Sequence, residues 1–112
     1  MATMEQCLTA LDTILGDLAS SPAAAGLDRS LSCRLTDLDK VVLGRLGGGA
    51  IRDRHVVPDG PDVPKADIRL TMTSDDLLAM TDGKLDFGKA WMSGRVKLEA
   101  GLRDLLRLRK IL

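Results

Sequence analysis

The sequence predicts an α+β domain in which one sheet is covered on one face by helices. Three observations carry that expectation. Apolar residues recur every three or four positions near both ends of the chain, while between them apolar and polar residues alternate in short runs, the periods of an amphipathic helix and of a half-buried strand. Clusters of Gly, Pro, Ser and Asp separate these runs. Finally, 112 residues suffice for one domain with one core, so residues 1–112 read as a single unit.

The first helix spans residues 3–18, where Met4, Cys7, Leu8, Leu11, Ile14, Leu15 and Leu18 form one apolar stripe and Thr3 supplies the N-cap. Residues 19–28, with Ser20, Ser21, Pro22, three alanines and Gly26, break the period and read as a connection or a short further turn. Leu31, Cys33 and Leu35 alternate with Ser32, Arg34 and Thr36, a second run covers residues 41–46, and the mostly polar stretch 37–40 makes the pair a hairpin. Gly47, Gly48 and Gly49 lead into a third strand over residues 50–57 whose alternation is poor. Pro58, Gly60, Pro61 and Pro64 punctuate a loop before the strand marked by Ile68, Leu70 and Met72.

Ser74 then caps a short helix, with Asp75 and Asp76 at the positive end of its dipole, Leu77, Leu78 and Met80 on its apolar side and Gly83 at its end. Asp86 caps a second short helical turn carrying Phe87, Ala90, Trp91 and Met92. After Gly94, Val96 and Leu98 alternate with Arg95, Lys97 and Glu99 in the last strand. Beyond Gly101, Leu102, Leu105, Leu106, Leu108, Ile111 and Leu112 give a C-terminal helix a broad apolar arc, with Arg103, Asp104, Arg107, Arg109 and Lys110 on the remainder.

Composition narrows the function classes. The chain is 45% apolar but 2% aromatic, with only Phe87 and Trp91, so the interior is aliphatic. It encloses either a tight core or an aliphatic cavity, and Met4, Met72, Met80 and Met92 suit ordinary filling as well as adaptation to an apolar ligand. Sixteen basic side chains balance sixteen acidic ones, so no overall field draws nucleic acid, and none is expected as a partner. No apolar run approaches the roughly 20 residues that cross a bilayer. The N-terminal segment has no basic start before an apolar run, which makes the cytoplasm the expected compartment.

Cys7 and Cys33 lack the spacing of a redox or metal motif and read as buried free thiols. No metal or cofactor motif is present, and the triple glycine lacks the Lys-Ser/Thr of a phosphate-binding loop. His55, beside Arg52, Asp53 and Arg54, invites an acid/base reading. It has no recognisable nucleophile or second carboxylate at useful spacing, so no catalytic residue is assigned.

Three pieces of the segment 66–108 carry a resemblance. They are the strand and helix from Ala66 through Ile68, Leu70 and Met72 to Leu78; Gly83-Lys84-Leu85-Asp86 followed by Ala90-Trp91-Met92-Ser93-Gly94; and Arg95-Val96-Lys97-Leu98 leading into Leu102-Arg103-Asp104-Leu105-Leu106-Arg107-Leu108. Together they resemble the lipid-binding domain of the sterol carrier protein family. The chain departs from the family pattern at Phe87, where many members have Pro, and at Ala100 and Gly101, where the family has Gly directly after the last strand. It ends Lys110-Ile111-Leu112, unlike a peroxisomal Ser-Lys-Leu, and its Leu, Arg, Asp, Gly and Ala rich composition reads as bacterial.

The resemblance implies a five-stranded, mostly antiparallel sheet covered on one face by helices, with an apolar tunnel between the layers. It implies noncovalent binding, and transfer, of a sterol, fatty acid, fatty acyl-CoA or related lipid, with no cofactor. The expected tunnel wall is Leu77, Met80, Phe87, Trp91, Met92, Leu102, Leu105 and Leu106. Burial at about 25 cal/mol per Å² makes an elaborate polar site unnecessary for such a ligand. From Arg95 to Leu112 six basic residues face two acidic ones, an excess that suits transient contact with anionic headgroups, or equally a solvated helix face. Two other functions fit the same pattern: an enzyme or enzyme accessory acting on a hydrophobic intermediate, and a dimerising interaction module.

Overall fold

A computed structural model describes residues 2–20, 22, 26–48 and 50–111, with side chains for all of these except 18, 19 and 108–111. The chain runs α1 (Met4–Ser20), β1 (Arg29–Leu35), β2 (Lys40–Gly47), β3 (Ala50–Pro58), β4 (Ile68–Met72), α2 (Ser74–Thr81), α3 (Phe87–Ser93), β5 (Lys97–Ala100) and α4 (Leu102–Ile111). Every element expected from the periodicities is present, the α+β class holds, and the expected hairpin is β1 and β2. Half of the expected 19–28 connection, the third glycine of the triplet and the last three apolar positions of the C-terminal arc lie outside the described residues or side chains.

The strands form one sheet in the order β3-β2-β1-β4-β5. Pairing is antiparallel except between β1 and β4, which run parallel and put the earliest strand at the centre. Register sets one apolar row across all five strands: Val56, Val42, Cys33, Leu70 and Leu98. A neighbouring row adds Leu31 beside Ile68 and Ala100. Cys7, Leu11 and Leu15 of α1, Leu77 of α2 and Ala90 of α3 close over this face in one buried cluster. Pleating sends Ser30, Arg34, Arg69 and Thr71 to the other face, where Arg34 pairs with Asp59 at 3.1 Å and holds the loop after β3.

The poor alternation of the third strand has a physical cause. Between Leu43 and Arg45 the β2–β3 register slips, so that Asp53 and Arg54 together oppose Gly44. Asp53 takes a positive φ of 55° at this bulge. A Cβ on Gly44 would stand 3.2 Å from Ile51, so glycine lets that side chain reach the core face. The bulge also turns Arg54 toward α1, where it donates to the Leu8 carbonyl at 3.2 Å and forms an ion pair with Asp12.

Helix starts are pinned by side chains. At α1, Gln6 N–H donates to Thr3 Oγ1 at 3.1 Å and Thr3 N–H to Gln6 Oε1 at 3.0 Å, a reciprocal capping box. At α2 the expectation is corrected, because the cap is Thr73, whose hydroxyl accepts from Asp76 N–H at 3.2 Å. Ser74 is instead the first helical residue and is wholly buried. Asp37, in the β1–β2 turn, accepts from its amide at 2.8 Å and from its hydroxyl at 2.5 Å. The same Ser74 oxygen accepts from Ala2 N–H at 3.3 Å. Burial opposes ionisation of Asp37, but the Ser74 hydroxyl and amide outweigh it and hold the carboxyl below the usual carboxylate range.

Two predictions follow from this packing. Asp37→Ala is expected to cost about 1–3 kcal/mol by stripping the buried Ser74 of its acceptor. Because the folded Asp37 pKa is depressed, its contribution is present above the unfolded value near about 4 and is lost as pH falls through the folded value. Urea unfolding of both proteins should therefore show their difference shrinking in acid. The free thiols Cys7 and Cys33 are both buried. Burial raises the pKa of both, Cys33 to about 12. An aromatic disulfide reagent at pH 8 should leave the native protein unmodified and titrate two thiols once denaturant is added.

Candidate functional site

Two of the covering helices, α2 and α3, each start at a capping side chain. Asp86 accepts from Lys89 N–H at 3.1 Å and starts α3 at Phe87. That first helical position is where proline is favoured. Phe87 keeps the start in place by its capping neighbour and turns its ring against the core. Gly94 ends α3 in the left-handed region at φ 82°, where an L side chain would be strained. Amides of Arg95 and Val96 then donate to the Ala90 carbonyl at 2.9 and 3.2 Å, burying Val96. Arg95 reaches back to Asp76 at 2.7 Å, which ties the first turn of α2 to the segment after α3.

The eight expected wall residues divide into two sets. Leu77 is fully buried in the core, and Met80 and Phe87 pack against it half-buried. Trp91 and Leu105 are half-buried. Met92, Leu102 and Leu106 face outward, at 90%, 75% and 52% exposure. Leu85 and Leu98, which the expected wall omits, pack against the same core. Leu85 is a single apolar residue between Lys84 and Asp86 and gives no period to read.

The packing of α4 differs from that of the other helices. It adjoins β5 and is tethered by Arg29, whose Nε lies 3.2 Å from both oxygens of Asp104. Its first carbonyl partner is Gly101, which accepts from Leu105 N–H at 2.9 Å.

Two surface clefts lie away from the eight residues. One of about 290 Å³ between α1 and α2 is edged by Thr3, Glu5, Gln6, Thr9, Leu78 and Asp82. Another of about 300 Å³ lies on the polar sheet face, among Leu43, Arg45, Asp53, His55, Pro64 and Lys65. His55 donates from Nδ1 to the Asp53 main-chain carbonyl at 2.9 Å, so its hydrogen-bonded neighbour is a backbone oxygen rather than a carboxylate. Nearby, Arg45 donates to Asp28 at 2.6 Å, which holds the Asp28 carboxyl below its usual range. Among the described residues no three His, Cys, Asp or Glu side chains gather as a metal site, and no helix is long and apolar enough to cross a membrane.

Comparison with known proteins gives three kinds of finding. Residues 11–112 match the model of the SCP-2 sterol transfer family. Among solved structures, sterol carrier protein 2 is 18% identical with a TM-score of 0.64, covering 97% of this chain and 92% of that one. Palmitated SCP2L2 from Aedes aegypti is 17% identical with a TM-score of 0.62, covering 98% and 94%. The stereoselective inverting sec-alkylsulfatase Pisa1 from Pseudomonas sp. is 26% identical with a TM-score of 0.58 over 86% of this chain, which spans only 13% of that enzyme's length. No curated protein sequence matches this one significantly.

Stability should separate the two sets of residues. Leu77→Ala is expected to cost about 2–5 kcal/mol through the cavity it leaves, whereas Met92→Ala and Leu102→Ala should stay within about 0.5 kcal/mol of the parent. Guanidinium unfolding midpoints measure both.

Proposed function

The chain belongs to the SCP-2 sterol transfer family, and from that premise we propose that it binds an apolar ligand noncovalently and carries it in the cytoplasm, releasing it to a membrane or an enzyme. Membership in a lipid-binding family over nearly the whole chain is the observation that carries this reading. The ligand is a single-chain lipid, a fatty acid or its acyl-CoA, or a sterol. An aliphatic interior with adaptable methionines fits all three. That a relative of the same fold is palmitated favours the acyl chain.

On this reading the ligand lies between the apolar sheet face and the helices. Leu77, Met80, Phe87 and Trp91 form the inner wall, Leu105 lies behind them, and Met92, Leu102 and Leu106 form the entrance. Their outward exposure suits the entrance role, since such groups gain most by meeting an apolar chain. No residue is assigned to bond-making.

A second reading has one observation in its favour. The likeness to part of a sec-alkylsulfatase suggests a module that presents an amphiphile to an enzyme, with the chemistry elsewhere. On either reading His55 is dispensable for carriage.

Native mass spectrometry of gently purified protein, followed by denaturation and lipid extraction, tests the carrier. A stoichiometric apolar adduct is expected. A bare mass, together with Trp91 fluorescence unmoved by titration with palmitate and with cholesterol, overturns the proposal.

A further inference from the structure

We propose that the sheet face turned away from the helices holds a second ligand site, a cleft between β3 and the segment that follows it, which takes a small carboxylate bearing a hydroxyl group. The carrier reading places cargo on the opposite face of the sheet, so this site goes beyond it.

The pleat puts Val41 and Leu43 on the outer face, since Val42 between them belongs to the core under the helices. An antiparallel pair with one face packed commonly leaves the other to water. Yet Val41 is 1% and Leu43 8% exposed. Cover comes from residues 59–66, of which Pro64, Lys65 and Ala66 border one cleft of about 300 Å³ together with Leu43. That segment is a strap fastened at both ends. At its start Asp59 N–H donates to the Asp39 carbonyl at 3.0 Å, and the Asp59 carboxylate accepts from Arg34 at 3.1 Å. Just beyond its end Asp67 N–H donates to Ser30 Oγ at 2.8 Å, and Ser30 N–H returns a bond to the Asp67 carboxylate at 3.2 Å. The opposite wall is the β3 bulge, where Asp53 stands at a φ of 55°, a region that L side chains rarely adopt. Walls held in this way are formed before a ligand arrives.

The side chains at the cleft set the ligand's chemistry. Leu43 and Pro64 offer a small apolar surface, and a volume of about 300 Å³ is the lower end of the range for small-molecule sites, which suits an occupant smaller than a lipid. Lys65 is exposed at the rim, with no ion-pair partner among the described residues, whereas Arg45 is engaged by Asp28. One open ammonium calls for one negative charge. Asp53 at the cleft and Asp67 at the end of the strap disfavour the double charge of a phosphate monoester. His55 supplies the second contact. Its register partner is Leu43, which places its ring on the outer face, and its Nδ1–H donates to the Asp53 carbonyl at 2.9 Å. In the neutral ring Nε2 is then an acceptor, the partner of a hydroxyl on the ligand.

Titration of the intact protein with α-hydroxyisocaproate, followed by amide chemical shifts, tests the site. Shifts are expected at residues 43–45, 53–55 and 64–66. Lys65→Ala should weaken binding about tenfold. His55→Ala should erase the preference for this acid over isocaproate, which lacks the hydroxyl. Both variants keep the parent's fold, because the replaced side chains are exposed, and native mass spectrometry should show them carrying the same apolar adduct as the parent. Absence of shifts overturns the proposal, as do shifts confined to the helical side around Trp91, where the acid would be entering the cargo site. So does a Lys65→Ala affinity equal to the parent's, or loss of the apolar adduct in either variant. Tighter binding of phenyl phosphate than of the acid overturns the ligand class. A parent with a bare mass that still shows the shifts along the strap supports the outer site and rejects carriage alone.

Discussion

One carboxylate connects three distant parts of the chain. Asp37 sits in the hairpin turn, yet it receives both the amide and the hydroxyl of Ser74 at the start of α2, and Ser74 in turn receives the amide of Ala2 just before α1. The turn of the hairpin, the N-terminal segment and the helix after β4 are thereby fixed to one point. From that point α2 carries Leu77 into the buried core cluster. The cost of hiding a serine is met because its hydroxyl both donates and accepts within the cluster. Among the described residues no buried side-chain nitrogen or oxygen lacks a partner.

The sheet imposes the complementary constraint. Its parallel β1–β4 junction brings the apolar residues of the hairpin and of β4 into the same rows. With almost no aromatic bulk, those rows must be covered by many small aliphatic contacts rather than by a few rings. The two aromatic residues both fall on α3, where Phe87 packs on the rim of the core and Trp91 stays half-buried.

Much of this was legible in the residues because it is periodic. Cys7, Leu11 and Leu15 recur at helical spacing and all are buried; Ile68, Leu70 and Met72 alternate and all are buried. The resemblance in residues 66–108 agreed with the family match and with the mixed, mostly antiparallel sheet. What escaped was set by tertiary pairing. Ser74 looked like a cap because serine before two aspartates is a capping pattern, but Asp37, far away in sequence, claimed it and left the role to Thr73. The third strand looked irregular because a bulge shifts its inward positions from one parity to the other, from Ile51 to Val56. The apolar arc of α4 was visible as a pattern, but a pattern states only that a face is apolar. That Leu102 and Leu106 look outward rather than onto the sheet depends on where the Arg29–Asp104 pair holds the helix.

That placement gives the molecule two mechanically different ends. The α1–α2 end is held by the hydrogen bonds that Asp37 accepts from the buried Ser74 and by a buried aliphatic core, both of which resist opening. The α4 end is held by its packing beside β5 and by the Arg29–Asp104 ion pair, with Arg29 about two-fifths exposed. Such a pair contributes on the order of 1 kcal/mol or less and weakens with salt. A carrier needs this asymmetry, because exchange of an apolar cargo requires one wall to yield while the rest of the fold keeps its register.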